Sequence, residues 1–515
     1  MTAENPGTPV LQLTGITKRF GETLANDDIS IELRQGELLA LLGENGAGKT
    51  TLMSILFGHY TPDAGTVEVE GAVLPPGRPR AAIDAGVGMV HQHFSLAPNL
   101  TVLENVMTGT EGLFRLRSDT AGGRSKLLAI AERFGLAVDP DARLGDLSVG
   151  EQQRVEILKA LYNDARILIL DEPTAVLTNI EAANLFVILR EMAAQGLSLI
   201  FISHKLNEVM AAADRVVVLR NGKVVAERAT EATTKQELAE LMVGRRVDRP
   251  VREPSAPGKP VLEAIAVDVT IGGATRLGGI DFTVHEGEVL GIVGVSGNGQ
   301  TTLAHLVSGL VKPSAGTLRL FGSAMADGVQ GLVEAGVGRI PEDRTSEGVI
   351  GELTIWENAV LERIGLQEFA RWGLVDRQAA RAFAARIIAD FDVRGGDVDH
   401  RIRLLSGGNM QKLILGRNLD ARPRLLIAAQ PTRGLDEGAI AAVHTRILEA
   451  RRDGTAILLI SEDLDEVINL ADRVQAIVKG RLSPAIAAED ADSRTLGLMM
   501  AGDWDFADKV RSHAS

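Results

Sequence analysis

The chain has no cysteine among its 515 residues, and basic side chains are outnumbered by acidic ones. The lack of cysteine excludes disulfides and thiolate metal sites, and it fits a reducing compartment. The net charge of −14 and the sequence pI of about 5.3 argue against a nucleic-acid partner, which would require a basic footprint. No stretch approaches the roughly 18 successive apolar residues of a membrane-spanning helix, so any spanning would fall to other chains.

An internal repeat organises what is present. Residues 38–52, LLALLGENGAGKTTL, match residues 289–303, VLGIVGVSGNGQTTL. Further along, residues 147–153, LSVGEQQ, match residues 405–411, LSGGNMQ. The offset between the copies grows along the chain, which predicts a small insertion in the second copy.

Two homologous domains follow from this repeat, and the length of the chain leaves each one enough residues for its own core. The segment between the copies, VDRPVREPSAPGKP, combines four prolines with several charges and is typical of a short exposed linker. We therefore expect a first domain over residues 1–246, a linker over 247–259 and a second domain over 260–515.

Short aliphatic runs alternate with helical patterns in both copies. The runs LLALLG, RILILDEP and LSLIFISH have strand length and are almost continuously apolar, as in parallel strands buried on both faces. Between them, TLMSILFGH and NIEAANLFVILREMAAQ carry helical spacing. This alternation predicts an α/β layered fold.

The segment GENGAGKT, residues 43–50, has the spacing of a P-loop and stands between a predicted buried strand and a helix. Gly43, Gly46 and Gly48 allow the backbone to curl so that its N–H groups point at a phosphate. The positive end of the following helix adds to this attraction. Lys49 is expected to reach the β- and γ-phosphates, and the hydroxyl of Thr50 to hold Mg²⁺. The alternative is a glycine-rich turn without function.

Two further strand ends carry polar side chains suited to phosphate chemistry. Asp171 follows a buried run and suits the Mg²⁺ shell, and the adjacent Glu172 can polarise an attacking water as a general base. His204 ends LSLIFISH, at the edge where α/β sheets collect their ligands. Considered alone, an acidic pair most often lies in a solvated loop, and a single histidine most often has a structural role.

The segments LSVGEQQR and LSGGNMQK resemble the signature motif of ABC-type ATPases. Together with the P-loop, Gln92, DEPT and His204, the resemblance covers essentially the whole chain, twice. It implies an α/β fold of two tandem ABC-type P-loop ATPase domains. Each would have a RecA-like core and a helical subdomain, the first around residues 95–160. It also implies a head-to-tail arrangement in which each ATP lies between the P-loop of one copy and the signature of the other.

The resemblance assigns ATP and Mg²⁺ to a first site, which uses the P-loop of copy one and the signature of copy two. The aromatic ring of Phe20 would stack on adenine, with an ordinary core phenylalanine as the alternative, and Asp436 matches the aspartate of the family's D-loop. Lys49, Gln92, Glu172 and His204 would be catalytic, and Thr50, Gln92 and Asp171 would hold Mg²⁺. The implied ATP-binding residues are Phe20, Gly43, Glu44, Asn45, Gly46, Ala47, Gly48, Lys49, Thr50, Thr51, Ser406, Gly407, Gly408 and Gln411.

A second site would use the P-loop of copy two, where most of these residues are replaced. Gln300, Ala429 and Gln430 take the places of the P-loop lysine, the Mg²⁺-shell aspartate and the general base. Loss of a general base alone costs about 10²–10⁴-fold in rate, so we expect no turnover there, while weak nucleotide binding stays open. The residues of this degenerate site are Gly294, Gly297, Gly299, Gln300, Thr301, Thr302, Glu342, Ala429, Gln430, Glu462, Ser148 and Gly150.

Three classes of tandem ATPase without membrane spans fit such a chain. A DNA-repair class would carry zinc modules built from cysteine, which this chain lacks. A ribosome-associated class would have two intact sites and a long charged linker, whereas the linker here is short and rich in proline. The third class, importer ATPases coupled to transport, matches the pattern of one intact site. GMVHQHFSLAPNLTVLENV and AAQPTRGLD favour its nucleoside branch, with simple sugars such as ribose or galactose as the alternative.

An importer of this kind implies partners that the chain itself does not contain. Transmembrane permease subunits would dock near the loop after Gln92, and an extracytoplasmic substrate-binding lipoprotein would act indirectly. The chain would then be peripheral to the membrane, on its cytoplasmic face, with no nucleic-acid partner. The transported substrate would not touch this chain, so its residues do not specify it.

Overall fold

The computed structural model describes residues 9–91, 95–110, 119–174, 177, 179–246, 250–254, 256–325 and 328–504. Gln92, which the sequence analysis assigns to the first site, lies outside these residues. The chain divides into two compact units, Met1–Val247 and Asp248–Ser515. Within the described residues, no helix combines the length and the apolar character that crossing a membrane requires.

The first unit alternates strands and helices. Its strands are β1 (Pro9–Phe20), β2 (Thr23–Arg34), β3 (Leu38–Gly43), β4 (Ala64–Val69), β5 (Ala72–Val73), β6 (Val87–Val90), β7 (Ile167–Asp171), β8 (Ser198–Ser203), β9 (Arg215–Arg220) and β10 (Lys223–Ala229). Its helices are α1 (Lys49–Leu56), α2 (Pro79–Asp84), α3 (Val102–Met107), α4 (Thr120–Arg133), α5 (Val149–Tyr162), α6 (Asn179–Ala194), α7 (Leu206–Ala212) and α8 (Lys235–Val243).

A six-stranded sheet in the order β10-β9-β3-β8-β7-β6 forms the centre of this unit. Strands β6, β7, β8, β3 and β9 run parallel to one another, and β10 is antiparallel to β9. Every residue of β3, β7 and β8 is buried, because helices or a second sheet cover both faces. The prediction of parallel strands buried on both faces is therefore confirmed.

The alternating side chains of β3 point into two different cores. Leu38 and Leu42 belong to the core that the sheet shares with the helices α3, α4 and α5. Leu39 and Leu41 belong to a second core, which includes Leu52 of α1 and the apolar face of an antiparallel sheet in the order β2-β1-β4-β5. The P-loop helix is thus held between two sheets.

A buried asparagine fixes the start of the helical part of this unit. Asn105, on α3, accepts a hydrogen bond from the Ala97 N–H and donates to the carbonyls of Ala97 and Thr101. Thr101 begins α3 with a capping box in which Glu104 is the reciprocal partner. These bonds tie the loop before α3 to the helix.

The second unit repeats this plan. Its strands are β11 (Pro260–Ile271), β12 (Ala274–His285), β13 (Val289–Val293), β14 (Ala315–Leu320), β15 (Ser323–Ala324), β16 (Val337–Ile340), β17 (Ala370–Arg371), β18 (Leu374–Val375), β19 (Leu425–Ala429), β20 (Ala456–Ser461), β21 (Arg473–Val478), β22 (Arg481–Leu482) and β23 (Ile486–Ala487). Its helices are α9 (Gln300–Val307), α10 (Gly328–Glu334), α11 (Ile355–Val360), α12 (Arg377–Asp390), α13 (Gly407–Leu419), α14 (Glu437–Arg452), α15 (Leu464–Leu470) and α16 (Ser493–Met500).

The central sheet of the second unit has the order β16-β19-β20-β13-β21-β22, which matches that of the first unit. A four-stranded antiparallel sheet, β12-β11-β14-β15, again lies beside it. The described residues of this unit also contain a turn of π-helix over Arg344–Gly348 and the hairpin β17-β18. The predicted fold class, two tandem α/β domains with a helical part in each, is confirmed.

The loop before α11 in the second unit depends on Asn358, which is 0% exposed. It accepts from the Ile350 N–H and donates to the carbonyls of Ile350 and Thr354. We expect Asn358→Ala to lower the free energy of unfolding by about 2–4 kcal/mol, because it leaves buried backbone groups unpaired. Thermal unfolding should show this as a lower midpoint, whereas Glu352→Gln, on the exposed surface, should leave the midpoint unchanged. An unchanged midpoint for Asn358→Ala would contradict this role.

Candidate nucleotide site

Three neighbouring strands of the first unit bring the predicted site residues to one edge of the sheet. Strand β3 pairs with β8, and β8 pairs with β7, all in parallel. Gly43 and Asp171 are the last residues of β3 and β7, and His204 directly follows β8. Because the carboxyl ends of parallel strands share an edge, residues more than a hundred positions apart in sequence meet there.

The P-loop curls around the end of β3. Gly46 and Gly48 have positive φ of 85° and 97°, and a Cβ at Gly48 would collide with the carbonyl oxygen of Ala25. Lys49 is the first residue of α1 and is buried, and its Nζ donates to the carbonyls of Gly43 at 2.7 Å and Glu44 at 2.9 Å. The lysine charge is therefore held inside the loop. Asn45, Ala47 and Thr51 complete this stretch.

Asp171 faces the P-loop from the end of β7. Its pKa is raised to about 6, chiefly by burial and then by the charge of Glu172, while Lys49 and a hydrogen bond from the Thr50 side chain act in the opposite direction. The Thr50 hydroxyl and the Asp171 carboxylate thus meet, and both are oxygen ligands of the kind that Mg²⁺ takes.

The rest of a Mg²⁺ shell would have to come from elsewhere. Within the described ranges, no group of three or more His, Cys, Asp or Glu side chains is arranged to hold a metal ion. Mg²⁺ is commonly held by one or two carboxylates together with phosphate oxygens of a nucleotide. The site therefore fits a magnesium ion that arrives with its nucleotide.

Glu172 and His204 form the pair that the sequence predicts for catalysis. The His204 Nδ1 lies 3.1 Å from Glu172 Oε1, and this hydrogen bond is the largest of the effects that hold the pKa of Glu172 below its ordinary value. Glu172 has a φ of 47°, which is uncommon for a residue other than glycine. Its N–H is fixed on the carbonyl of Ile202. The carboxylate is thus ionised and oriented, as a general base needs to be.

Phe20 lies at the end of β1 and is 43% exposed. Its ring meets Tyr60 edge-on at 5.3 Å, and the ammonium group of Lys18 lies over it at 5.4 Å. An ordinary core phenylalanine, the alternative in the sequence analysis, is therefore excluded by its exposure. Stacking on adenine stays a prediction.

The P-loop of the second unit keeps its shape but not its charge. Gly297 and Gly299 have positive φ of 85° and 115°, as in the first copy. Gln300 takes the place of the buried lysine, and its Nε2 donates to the carbonyl of Val295 at 2.9 Å. The Oε1 of Gln300 is buried and has no hydrogen-bond partner among the described residues. Gly294 lies against this side chain, where a Cβ would come within 2.8 Å of Gln300 Nε2.

The strand ends of the second unit likewise keep the backbone of the first unit but carry other side chains. Gln430 keeps the unusual backbone of Glu172, with a φ of 49° and its N–H on the carbonyl of Ile460. Its Oε1 accepts the Glu462 N–H at 3.4 Å, and burial raises the pKa of Glu462. Ala429, before it, offers no ligand. This site retains the backbone of a catalytic site without the base or the aspartate.

Glu342 lies at the position of Gln92, and its carboxylate has two partners. Glu342 Oε2 accepts a hydrogen bond from the hydroxyl of Thr301, the second residue of α9, at 3.1 Å. Glu342 Oε1 pairs with Nη1 of Arg433 at 2.7 Å. The next residue, Thr302, continues α9.

The signature turn of the first unit is closed by its own residues. Ser148 begins α5 and forms a capping box with Glu151, so that the serine hydroxyl is bonded to the Glu151 carboxylate at 2.7 Å. Val149 is exposed, and Gly150 lies against Glu181. A negative charge thus covers the positive end of this helix.

The signature turn of the second unit differs in each of these respects. Ser406 begins α13, has no capping bond and accepts from Asn409 Nδ2 at 2.9 Å. The first turn of α13 contains no acidic residue. A Cβ at Gly407 would come within 2.5 Å of Arg344 Nη2, so the guanidinium packs directly on this glycine. Gly408 follows, and the turn is open, small and free of negative charge.

Two predicted residues have other contacts than expected. Gln411 is 3% exposed, and its Nε2 donates to the carbonyl of Pro431 at 2.8 Å. The side chain of Gln411 is therefore used inside its own domain, and its contact with ATP stays a prediction. Asp436 caps α14 by accepting the Ala439 N–H, and its counterpart Thr178 lies outside the described residues.

Sequence reasoning missed three charged residues beside these motifs. Glu151 could have been found, because a serine followed three positions later by glutamate is the pattern of a capping box. Arg344 and Arg433 carry no such local signal. Arg344 meets Gly407 and the carbonyl of Arg433, which are far from it in sequence.

Comparison with known proteins identifies the family of the chain. The family model described as ABC transporter matches residues 26–175 and 277–433. A nucleoside import ATP-binding protein of Lactococcus lactis is 42% identical over 96% of this chain and 98% of its own. A glucose import ATP-binding protein of Haloferax volcanii is 44% identical over 96% of both chains.

A solved structure covers nearly the same length at lower identity. The archaeal ribosome recycling factor aABCE1, in complex with the ribosomal stalk protein aP1, superposes with a TM-score of 0.64 at 18% identity, over 94% of this chain and 92% of that one. This likeness shows the tandem fold alone. The two matched domains and the identity of the full-length relatives show that the chain belongs to the ABC transporter family and is one of its ATPases.

Proposed function

We propose that this chain is the ATP-hydrolysing subunit of an importer and that one of its two sites turns over ATP. The observation that carries the proposal is the hydrogen bond between Glu172 and His204, beside Lys49 and Asp171, at the edge of the first sheet. In the second domain the same backbone presents Gln430, an amide that does not accept a proton.

Each side chain of the first site then has a chemical role. Lys49 neutralises charge on the transferred phosphate, and Thr50 and Asp171, together with Gln92, hold Mg²⁺. The ion supplies further positive charge to the phosphates. Glu172 accepts the proton of the attacking water, and His204 keeps its carboxylate ionised and in place.

The two signature turns support a composite site, in which the second-domain signature faces the ATP of the first P-loop. Ser406 keeps its hydroxyl proton for a phosphate oxygen, and the N-terminus of α13 adds backbone donors. The first-domain signature is less suited to this role, because Ser148 is bonded to Glu151 and the carboxylate repels phosphate.

Import requires membrane subunits, which we propose as partners at the cytoplasmic face of the membrane. A substrate-binding lipoprotein would deliver the substrate from outside. We favour nucleosides as the substrate because AAQPTRGLD and GMVHQHFSLAPNLTVLENV resemble the nucleoside branch, in agreement with the Lactococcus relative. Simple sugars such as ribose or galactose are the second candidate, supported by the glucose import relative. The ribosome-associated class has no support beyond the shared fold.

Glu172→Gln is expected to lower the ATPase rate of the chain with its membrane subunits by about 10²–10⁴-fold, because it removes the general base. The matched change in the second copy, Gln430→Ala, should keep most of the rate, since no proton is accepted there. The rate of phosphate release measures the ATPase activity of both variants. Substantial activity in Glu172→Gln would contradict the one-site proposal.

Asp171→Asn should stabilise the nucleotide-free and metal-free chain at neutral pH. The raised pKa of about 6 means that the folded state binds the Asp171 proton more tightly than the unfolded state. This contribution is present at low pH and is lost as pH rises through about 6. We expect Asp171→Asn to gain up to about 3 kcal/mol at pH 7.5 and much less at pH 4.5, in thermal unfolding. An equal effect at both pH values would contradict the buried carboxylate.

Uptake in cells tests the substrate. We expect cells with Glu172→Gln in place of the intact gene to lose uptake of a radiolabelled purine nucleoside and to retain uptake of ribose, because only the former depends on this ATPase. Loss of ribose uptake with intact nucleoside uptake would favour the sugar alternative. Persistence of both uptakes would contradict both substrates. The exception is uptake that also persists after deletion of the whole gene, because another transporter then carries it.

A further inference from the structure

We propose that the P-loop of the second domain binds a divalent cation of its own, for which Glu342 supplies the carboxylate that Ala429 lacks. The inference rests on the nucleotide-binding part of the proposed function, because phosphate oxygens complete the shell of such an ion. It concerns the degenerate site, which is without a general base and is not expected to turn over.

The first observation is that the P-loop threonine meets a carboxylate in both domains. In the first domain, Thr50 is hydrogen-bonded to Asp171, which comes from the end of β7. In the second domain, the hydroxyl of Thr301 lies 3.1 Å from Glu342 Oε2, and Glu342 comes from the segment after β16. A hydroxyl and a carboxylate oxygen therefore stand together at the start of α9 as they do at the start of α1.

Two replacements that look like separate losses compensate each other in charge. Ala429 removes a carboxylate from the place of Asp171, and Glu342 adds one at the place of Gln92. Each P-loop threonine consequently keeps one carboxylate beside it. Mg²⁺ is commonly bound by one or two carboxylates in addition to phosphate oxygens. The residues beside Thr301 in the second domain therefore still meet the requirement of this ion.

An orphaned acceptor in the same loop is a second and independent observation. Gln300 is 5% exposed, and its Nε2 is fixed on the Val295 carbonyl, which identifies the other terminal atom as the oxygen. This Oε1 is buried with no partner among the residues that the structure describes. A buried acceptor of this kind is costly unless a donor or a cation reaches it. Its place in the P-loop suits a site that receives positive charge along with the nucleotide.

Arg433 fixes the orientation of the proposed ligand. Its guanidinium binds Glu342 Oε1 at 2.7 Å, which leaves Oε2 on the side of Thr301. Arg433 is itself more than half exposed, so it neutralises Glu342 from the solvent side without filling the loop. The carboxylate is thus held in place before an ion arrives, as the supporting partners of metal ligands commonly do.

The test counts Mn²⁺ ions by electron paramagnetic resonance on the full chain, with a non-hydrolysable ATP analogue in excess. We expect two tightly bound ions per wild-type chain. Glu342→Gln should weaken one of them by at least about tenfold, the lower end of what loss of a mere supporting partner costs. Glu347→Gln is the matched control, because it removes a carboxylate from the same segment after β16 that pairs with His305 and Arg339. This variant should retain two ions. Thermal midpoints close to that of the wild type confirm that the variants fold.

Asp171→Asn separates this proposal from the proposed function, because it reports on the ion of the first domain. One ion lost in Asp171→Asn and a different one lost in Glu342→Gln, with none bound when both changes are combined, would establish two independent sites. A single ion in the wild-type chain, two ions in Glu342→Gln, or an equal loss in Glu347→Gln would each overturn the role of Glu342. An unchanged count in Asp171→Asn would contradict the first site instead.

Discussion

Parallel pairing of β3, β8 and β7 is the constraint on which the site of the first domain depends. These strands are buried on both faces, so their register is fixed by packing and not by the loops that follow. The P-loop, Asp171 and His204 are consequently placed at one edge, where Asp171 meets Thr50 and His204 meets Glu172. The equivalent strands β13, β20 and β19 pair in the same way, which is why the second domain keeps the backbone form of the site with other side chains at the strand ends.

The unusual backbone at Glu172 and Gln430 separates structure from catalysis. Both residues have positive φ, a conformation that costs about 1–3 kcal/mol outside glycine. Its presence at Gln430, where no base is needed, indicates that the strain belongs to the turn itself. In both domains the N–H of this residue is fixed on the neighbouring strand, at Ile202 or Ile460. The turn therefore presents whichever side chain is there, a carboxylate in the first domain and an amide in the second.

The two signature turns differ more in their electrostatics than the similarity of their sequences suggests. Glu151 closes the first turn with a carboxylate and uses the hydroxyl of Ser148. In the second turn, Asn409 and the nearby guanidinium of Arg344 leave no negative charge at the start of α13. Gly407 lets the guanidinium of Arg344 pack directly on the backbone of this turn, and a Cβ there would displace it. The Glu172–His204 pair and the open signature thus belong to different domains.

The repeat, the P-loop, the buried strands and the family can all be recognised in the sequence, because they depend on local spacing and on apolar runs typical of strands buried on both faces of a sheet. Most of the first site follows from them, since strand ends of one sheet share an edge. Tertiary structure alone decided that Gln411 turns inward to Pro431 and that Glu342 reaches Thr301. Such contacts join residues on separate segments, and their formation depends on the path of loops that no local pattern specifies.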